Sequence, residues 1–245
     1  MSSKAQWSAF AARHAGQFRM LAVDLLGYGA SPFPETEGEP FSLAHEVDAV
    51  MATLAFQLDS GEAFHLVGHS YGGATALRLA RMLPQRVLSL ALFEPVAFHL
   101  LAPNDPGRAE IEEVVACIDA ARDDHAATRA FIDYWNRAGA FDALPPGHQQ
   151  RFASQIAKVK LDFQALLGEP ASLQDLDMLR MPALVMHGKH APASTRRVVT
   201  ALADALPDAR LQVTDGGHMA PITHADAVNA VLGNFLLETE HSEVE

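Results

Sequence analysis

The strongest constraint on this chain is a change of period within about fifteen residues. Phe64-His65-Leu66-Val67-Gly68 is a short apolar run ending in glycine, His69-Ser70-Tyr71-Gly72 follows, and from Gly73 the positions Gly73, Ala76, Leu77 and Ala80 recur at helical spacing. The stretch reads as strand, sharp turn and helix. A turn this tight holds its central residue in a strained conformation, so the positions two before and two after must lack bulk, and both Gly68 and Gly72 qualify. Ser70 then stands at a strand tip above a helix N-terminus. The helix dipole and the N–H of Tyr71 point to where negative charge on a bound oxygen would develop. This is the nucleophile-elbow pattern G-x-S-x-G.

The remainder of the chain supplies units of the same kind. A weak helical pattern over 7–18 leads to a buried strand over 18–23 and a loop, Asp24-Leu25-Leu26-Gly27-Tyr28-Gly29, whose residues read as structural. Ser42 caps a helix with apolar face Leu43, Val47, Val50, Met51, Leu54 and Leu58, closed by Gly61. Continuous apolar strands are expected at 87–93, ending at Glu94-Pro95, and at 182–188. A helix over 194–206 leads to a last strand at 209–214. The loop Asp215-Gly216-Gly217-His218 then precedes a final helix, which Thr223 and Asp226 are expected to cap as a pair. Apolar strands alternating with amphipathic helices predict an α/β fold, a mostly parallel sheet covered by helices on both faces. In such a sheet the chemistry gathers at the strand C-termini, where Ser70, Glu94, the Gly188 loop and the His218 loop all fall.

One connection is too long for a crossover helix. More than eighty residues separate Pro95 from Pro182, and three helical patterns fill them: Ile111/Val114/Val115/Ile118, Phe131/Tyr134/Trp135/Ala138 and Phe152/Ile156/Val159. The expected organisation is a core of residues 1–96 and 173–245 with a helical cap over 97–172. The cap aromatics read first as packing, and second as the walls of an apolar acyl pocket.

Composition excludes several classes of function. With a formal charge of −12 and no Lys/Arg block, nucleic acid and anionic membrane are excluded as partners. The chain contains no 18-residue apolar run, and its first ten residues have no signal-peptide core, so a cytoplasmic protein is expected. The single cysteine, Cys117, cannot form an internal disulfide and is expected in the core. His187 and His190 have i, i+3 spacing but lack a third ligand, so no metal site is expected.

The ordered set Asp24-Leu-Leu-Gly-Tyr-Gly, Gly68-His-Ser-Tyr-Gly-Gly, Pro182-Ala-Leu-Val-Met-His-Gly and Gly216-Gly-His-Met-Ala-Pro resembles the α/β-hydrolase superfamily, in its esterase-like serine hydrolase group with a helical cap. The likeness covers nearly the whole chain outside the cap. It implies a triad acting on a small acyl substrate, with no cofactor. A serine hydroxyl needs a base that titrates near neutrality, which imidazole supplies, and His218 occupies the family's position for it. The third member departs from the pattern: relatives carry an Asp shortly after the Gly188 position, where this chain has Ala191. A subset that includes haloalkane dehalogenases takes the acid from the end of the preceding strand, which here is Glu94; Asp177 and Asp215 are weaker candidates. The serine nucleophile argues against dehalogenase or epoxide hydrolase chemistry. The N-terminus also departs. The resemblance begins just after the family's oxyanion loop, and relatives carry three further strands upstream, so a chain short of those strands is expected. Tyr71 N–H is then one oxyanion donor, and a second is missing or improvised from Met1 or Ser2. Carbon–carbon hydrolase, lyase or perhydrolase chemistry on the same triad, and a truncated homologue that only binds ligand, are the alternatives.

Overall fold

The computed structural model describes residues 1–36 and 38–242. A 3₁₀ turn over Lys4–Trp7 runs into α1 (Ser8–His14), and α2 (Leu43–Gln57) begins at Ser42, where Ser42 N–H donates to His45 Nδ1. β1 (Phe64–His69), α3 (Tyr71–Met82) and β2 (Val87–Phe93) form the first strand–helix–strand unit. Four helices follow: α4 (Pro106–Asp119), α5 (Asp124–Trp135), α6 (Pro146–Ala153) and α7 (Ile156–Leu167). The third helical pattern of the insertion is therefore two helices, broken at Ser154-Gln155. β3 (Ala183–Gly188), α8 (Ala193–Ala205) and β4 (Ala209–Thr214) complete the sheet, and α9 (Ala220–Thr223) and α10 (Ala225–Ser242) close the chain.

Among the described residues the sheet has four strands in the order β1-β2-β3-β4, every pair parallel. Its inner strands alternate between two separate cores, as a sheet covered on both faces requires. On one face Leu90, Leu92, Ala183 and Val185 pack with α3, α8 and the inserted helices. On the other, Ala91, Phe93, Leu184 and Met186 pack with Phe10 of α1 and Val228, Leu232 and Phe235 of α10.

Three sequence expectations fail here. Residues 18–23 are not a strand: they have no ladder partner, and the free edge of β1 faces a cavity instead. Continuous stretches from both sides, 17–25 and 62–72, line that cavity of about 720 Å³. An apolar run makes a strand only if its backbone N–H and C=O groups find a neighbour. Second, Thr223 does not cap α10; it ends α9, and its hydroxyl donates to Met219 O. Third, Cys117 is exposed, because it lies one position off the buried line of Ile111 and Ile118 on α4.

Candidate active site

β1 ends and α3 begins at Ser70, whose φ of 55° lies in the region that L residues avoid. The turn is held because Ser70 N–H donates to Phe93 O (3.0 Å) and Ser70 O accepts from Gly73 N–H (2.8 Å). A Cβ on Gly68 would sit 2.6 Å from Gly72 O and 2.7 Å from Gly73 Cα, and one on Gly73 would sit 2.9 Å from Pro95 Cβ. Gly72 differs: the nearest atom to its Cβ position is Leu25 Cδ1 at 4.0 Å. Close packing of helix on strand therefore requires glycine at 68 and 73, and not at 72. The Tyr71 N–H, at the first position of α3, has no acceptor among the described residues, as expected of a donor in the first turn of a helix.

Glu94 follows β2 directly and is the other non-glycine residue with positive φ, 41°. The two such residues among those described sit side by side, since the β1–β2 ladder pairs His69 with Phe93 immediately before them. Glu94 is fully buried. Its Oε1 accepts from Gly188 N–H (2.9 Å), and its Oε2 accepts from Thr195 Oγ1 (3.1 Å) at the start of α8 and from His218 Nδ1 (2.8 Å). These bonds orient a carboxylate that has no contact with water.

His218 arrives on the loop after β4. That loop is fastened to the end of β3, with His190 N–H donating to Gly216 O (2.9 Å), and it packs so closely that a Cβ on Gly188 would lie 2.5 Å from the same oxygen. Gly216 bends it with a φ of 89°. With Nδ1 donating to Glu94, His218 Nε2 accepts from Ser70 Oγ at 2.9 Å. Ser70, His218 and Glu94 are thus hydrogen-bonded in series. Asp215 is exposed and bound to Lys189 Nζ (2.5 Å), and Asp177 is exposed after a 3₁₀ turn at Leu173–Leu176; neither bonds His218. Ala191, at the position where the resemblance leads one to expect an acid, is buried.

Two further rings attend the imidazole. The Trp135 indole, at the end of α5, stacks on His218 with centroids 4.0 Å apart and planes 29° apart. His69, at the end of β1, lies 5.1 Å from it and its Nε2–H donates to His218 O (2.9 Å). Burial and the neighbouring His218 hold His69 down to about 3, so it is a neutral donor at physiological pH.

The ring of Tyr71, the residue after Ser70, lies against a buried charge cluster. Lys158 of α7, 1 % exposed, donates from Nζ to Glu46 of α2 (2.9 Å) and to Asp162, and Tyr28 OH also donates to Asp162. The ammonium lies 4.8–4.9 Å from the ring centroids of Tyr28, Phe41 and Tyr71. Asp24 braces the loop above by accepting from Lys4 N–H (2.7 Å) and Ala30 N–H (3.0 Å). The cavity reaches from Ser70 past Met1 and Ser2 and under Phe131, Val159, Phe163 and Leu166 of the insertion. None of Thr195, Lys158 and His69 carries a sequence signal for its place here. Trp135 had one, the aromatic stripe, which reads equally as packing.

The profile of the α/β-hydrolase fold matches residues 1–225. The chain belongs to that family. It is 29 % identical over 234 residues to 2-hydroxymuconate semialdehyde hydrolase of Pseudomonas putida, covering 91 % of this chain and 78 % of that protein. It is 28 % identical over 229 residues to pimeloyl-[acyl-carrier protein] methyl ester esterase of a Neisseria meningitidis strain, with coverage of 88 % and 82 %. Among solved structures, a hydrolase from Pseudomonas aeruginosa PA01 superposes with a TM-score of 0.74 at 24 % identity, over 96 % of this chain and 86 % of that one. Relatives of this α/β hydrolase are named as a semialdehyde hydrolase, a methyl ester esterase and a poly(3-hydroxyalkanoate) depolymerase, which supports a hydrolase. No helix among the described residues is long and apolar enough to cross a membrane.

Proposed function

We propose that this α/β hydrolase cleaves a small carboxylic ester or related acyl compound, with Ser70 as nucleophile, His218 as general base and then acid, and Glu94 as the triad acid. The observation that carries this reading is the series of bonds from Ser70 Oγ to His218 Nε2 (2.9 Å) and from His218 Nδ1 to Glu94 Oε2 (2.8 Å). As the Oγ–H proton passes to Nε2, the oxygen lone pair attacks the acyl carbon, and the carbonyl oxygen takes the negative charge opposite the free Tyr71 N–H. Collapse expels the alcohol, which takes the proton from Nε2. Water, deprotonated by the same nitrogen, then releases the acid. Glu94 fixes the tautomer and offsets the imidazolium charge. Residues 97–172 act as a cap over a core of 1–96 and 173–245, and their apolar walls favour an apolar acyl group.

A fluorophosphonate probe and a p-nitrophenyl ester series test the reading. Ser70 becomes labelled and Ser70→Ala does not, while Glu94→Gln folds normally and loses on the order of 10⁴ in kcat. Near-normal turnover by Glu94→Gln would reject it as the triad acid, and an unlabelled Ser70 would favour a chain that only binds ligand. A second reading, hydrolysis of a carbon–carbon bond by the same three side chains, is favoured by the 29 % identity to 2-hydroxymuconate semialdehyde hydrolase. Turnover of 2-hydroxymuconate semialdehyde well above that of every ester would select it.

A further inference from the structure

The indole stacked on His218 does nothing in the mechanism above, yet it covers the face of the group that becomes charged. We propose that Trp135 serves the reaction as a π surface for the imidazolium, stabilising the positive charge that His218 acquires on taking the Ser70 proton. This rests on the reading of Ser70 as nucleophile and adds a residue from the inserted helices to its machinery. Both rings are buried, with Trp135 7 % and His218 3 % exposed, so the attraction between cation and ring is little screened by water.

The indole is held there rather than merely resting there. Tyr134, the preceding residue, donates its hydroxyl to Glu110 Oε1 (2.9 Å) and shares a hydrogen bond with Ser194 Oγ (2.6 Å), while Ser194 N–H donates to Glu110 Oε2 (3.1 Å). Its ring also meets the indole edge-on at 4.7 Å. Thr195, the next residue after Ser194, donates to Glu94. The acid at one edge of the imidazole and the indole on its face are therefore both referenced to the first turn of α8. Other groups facing His218 are Ser70 at Nε2, Glu94 at Nδ1 and the His69 ring, which burial keeps neutral; Asp162 lines the same cavity. Of these, only Glu94 offsets the imidazolium by direct contact, and the indole adds a second, uncharged source.

The test compares Trp135→Leu, which keeps the site apolar but removes the π surface, with Trp135→Phe, which keeps a smaller one. The leucine variant is expected to lose about 2- to 30-fold in kcat, and the phenylalanine variant to recover most of it. The acid limb of kcat/KM moves to lower pH in the leucine variant, because the imidazolium has lost a stabilising partner. A residue that only shields the site from water gives the opposite shift, since hydration favours the cation. An acid limb moving to higher pH, an unchanged kcat, or a loss confined to KM would each overturn the proposal. Fluorescence supplies a measurement independent of turnover. In a Trp7→Phe background Trp135 is the single indole, and its emission falls as His218 is protonated, a change that vanishes in His218→Gln. Emission with no such change refutes the stack, whereas failure of the probe to label Ser70 refutes the nucleophile and leaves the titration to be read alone.

Discussion

Backbone strain in this protein is concentrated at two neighbouring side chains. Ser70 and Glu94 are the non-glycine residues with positive φ among those described, and each is held by hydrogen bonds from both sides of the turn. Strain of this kind, about 1–3 kcal/mol per residue, persists only where the surroundings over-determine it. The glycines beside Ser70 divide on the same logic. Gly68→Ala places a methyl group against backbone atoms that cannot move aside and is expected to destabilise the fold by about 3 kcal/mol or prevent expression. Gly72→Ala meets open space at ordinary helical φ and is expected to be neutral or slightly stabilising. Urea unfolding of the two variants checks this, and equal losses would contradict it. The sequence pattern alone treats both glycines alike, because a five-residue motif records which residues occur and not which neighbour presses on them. Ser70 and His218 were legible through local turns. Thr195, His69 and the bracing of Glu94 by Gly188 were not, since each contact spans about a hundred residues or more and has no local trace.

At the level of elements, the inserted helices are tied to the core through a charge rather than through apolar packing alone. Lys158 on α7 reaches Glu46 on α2 and, one turn along its own helix, Asp162. Removing the cation strands buried carboxylates: Lys158→Met is expected to cost about 3–5 kcal/mol in urea unfolding. Adding Glu46→Gln and Asp162→Asn should restore most of it, and a loss under about 1 kcal/mol in the single variant would mean that the cluster carries no such weight. The helices are readable from their 3.6-residue repeat, and the inner strands from continuous apolar runs, because a strand covered on both faces has no polar side. The segment 18–23 differs from its expectation because an apolar run states only that a segment is fit to be a strand, while a strand also needs a neighbour to pair its backbone groups. The α6–α7 break and the α9 turn escaped for the ordinary reason that helix ends are set by caps and packing.

For the molecule as a whole, buried titratable groups fix how stability depends on pH. Burial lowers His69 to about 3 and His99 to about 4, both below the ordinary value of 6.5, so the unfolded chain binds more protons and acid destabilises the fold from about pH 6.5 downward. Asp162 acts in the opposite sense: burial outweighs Lys158 and raises it to about 6, above its ordinary 3.8, so between those values the folded chain binds the extra proton. Two protons against one leave a net slope of about one, or about 1.4 kcal/mol per pH unit between pH 6 and 4. Melting temperatures at pH 6.5, 5.5 and 4.5 should fall in that order, and His69→Gln should flatten the trend. A melting temperature that rises with acid would contradict the assignment.

Because Ser70 and Glu94 rise from adjoining, hydrogen-bonded strands, they form one rigid body, and only the histidine is delivered by a separate arm two strands away. Heat is therefore expected to cost activity before secondary structure, by shifting the His218 loop against the pair, which parallel activity and circular dichroism melts would check. Activity lost in that way should return on cooling, because the partners of the imidazole stay joined through the β1–β2 ladder.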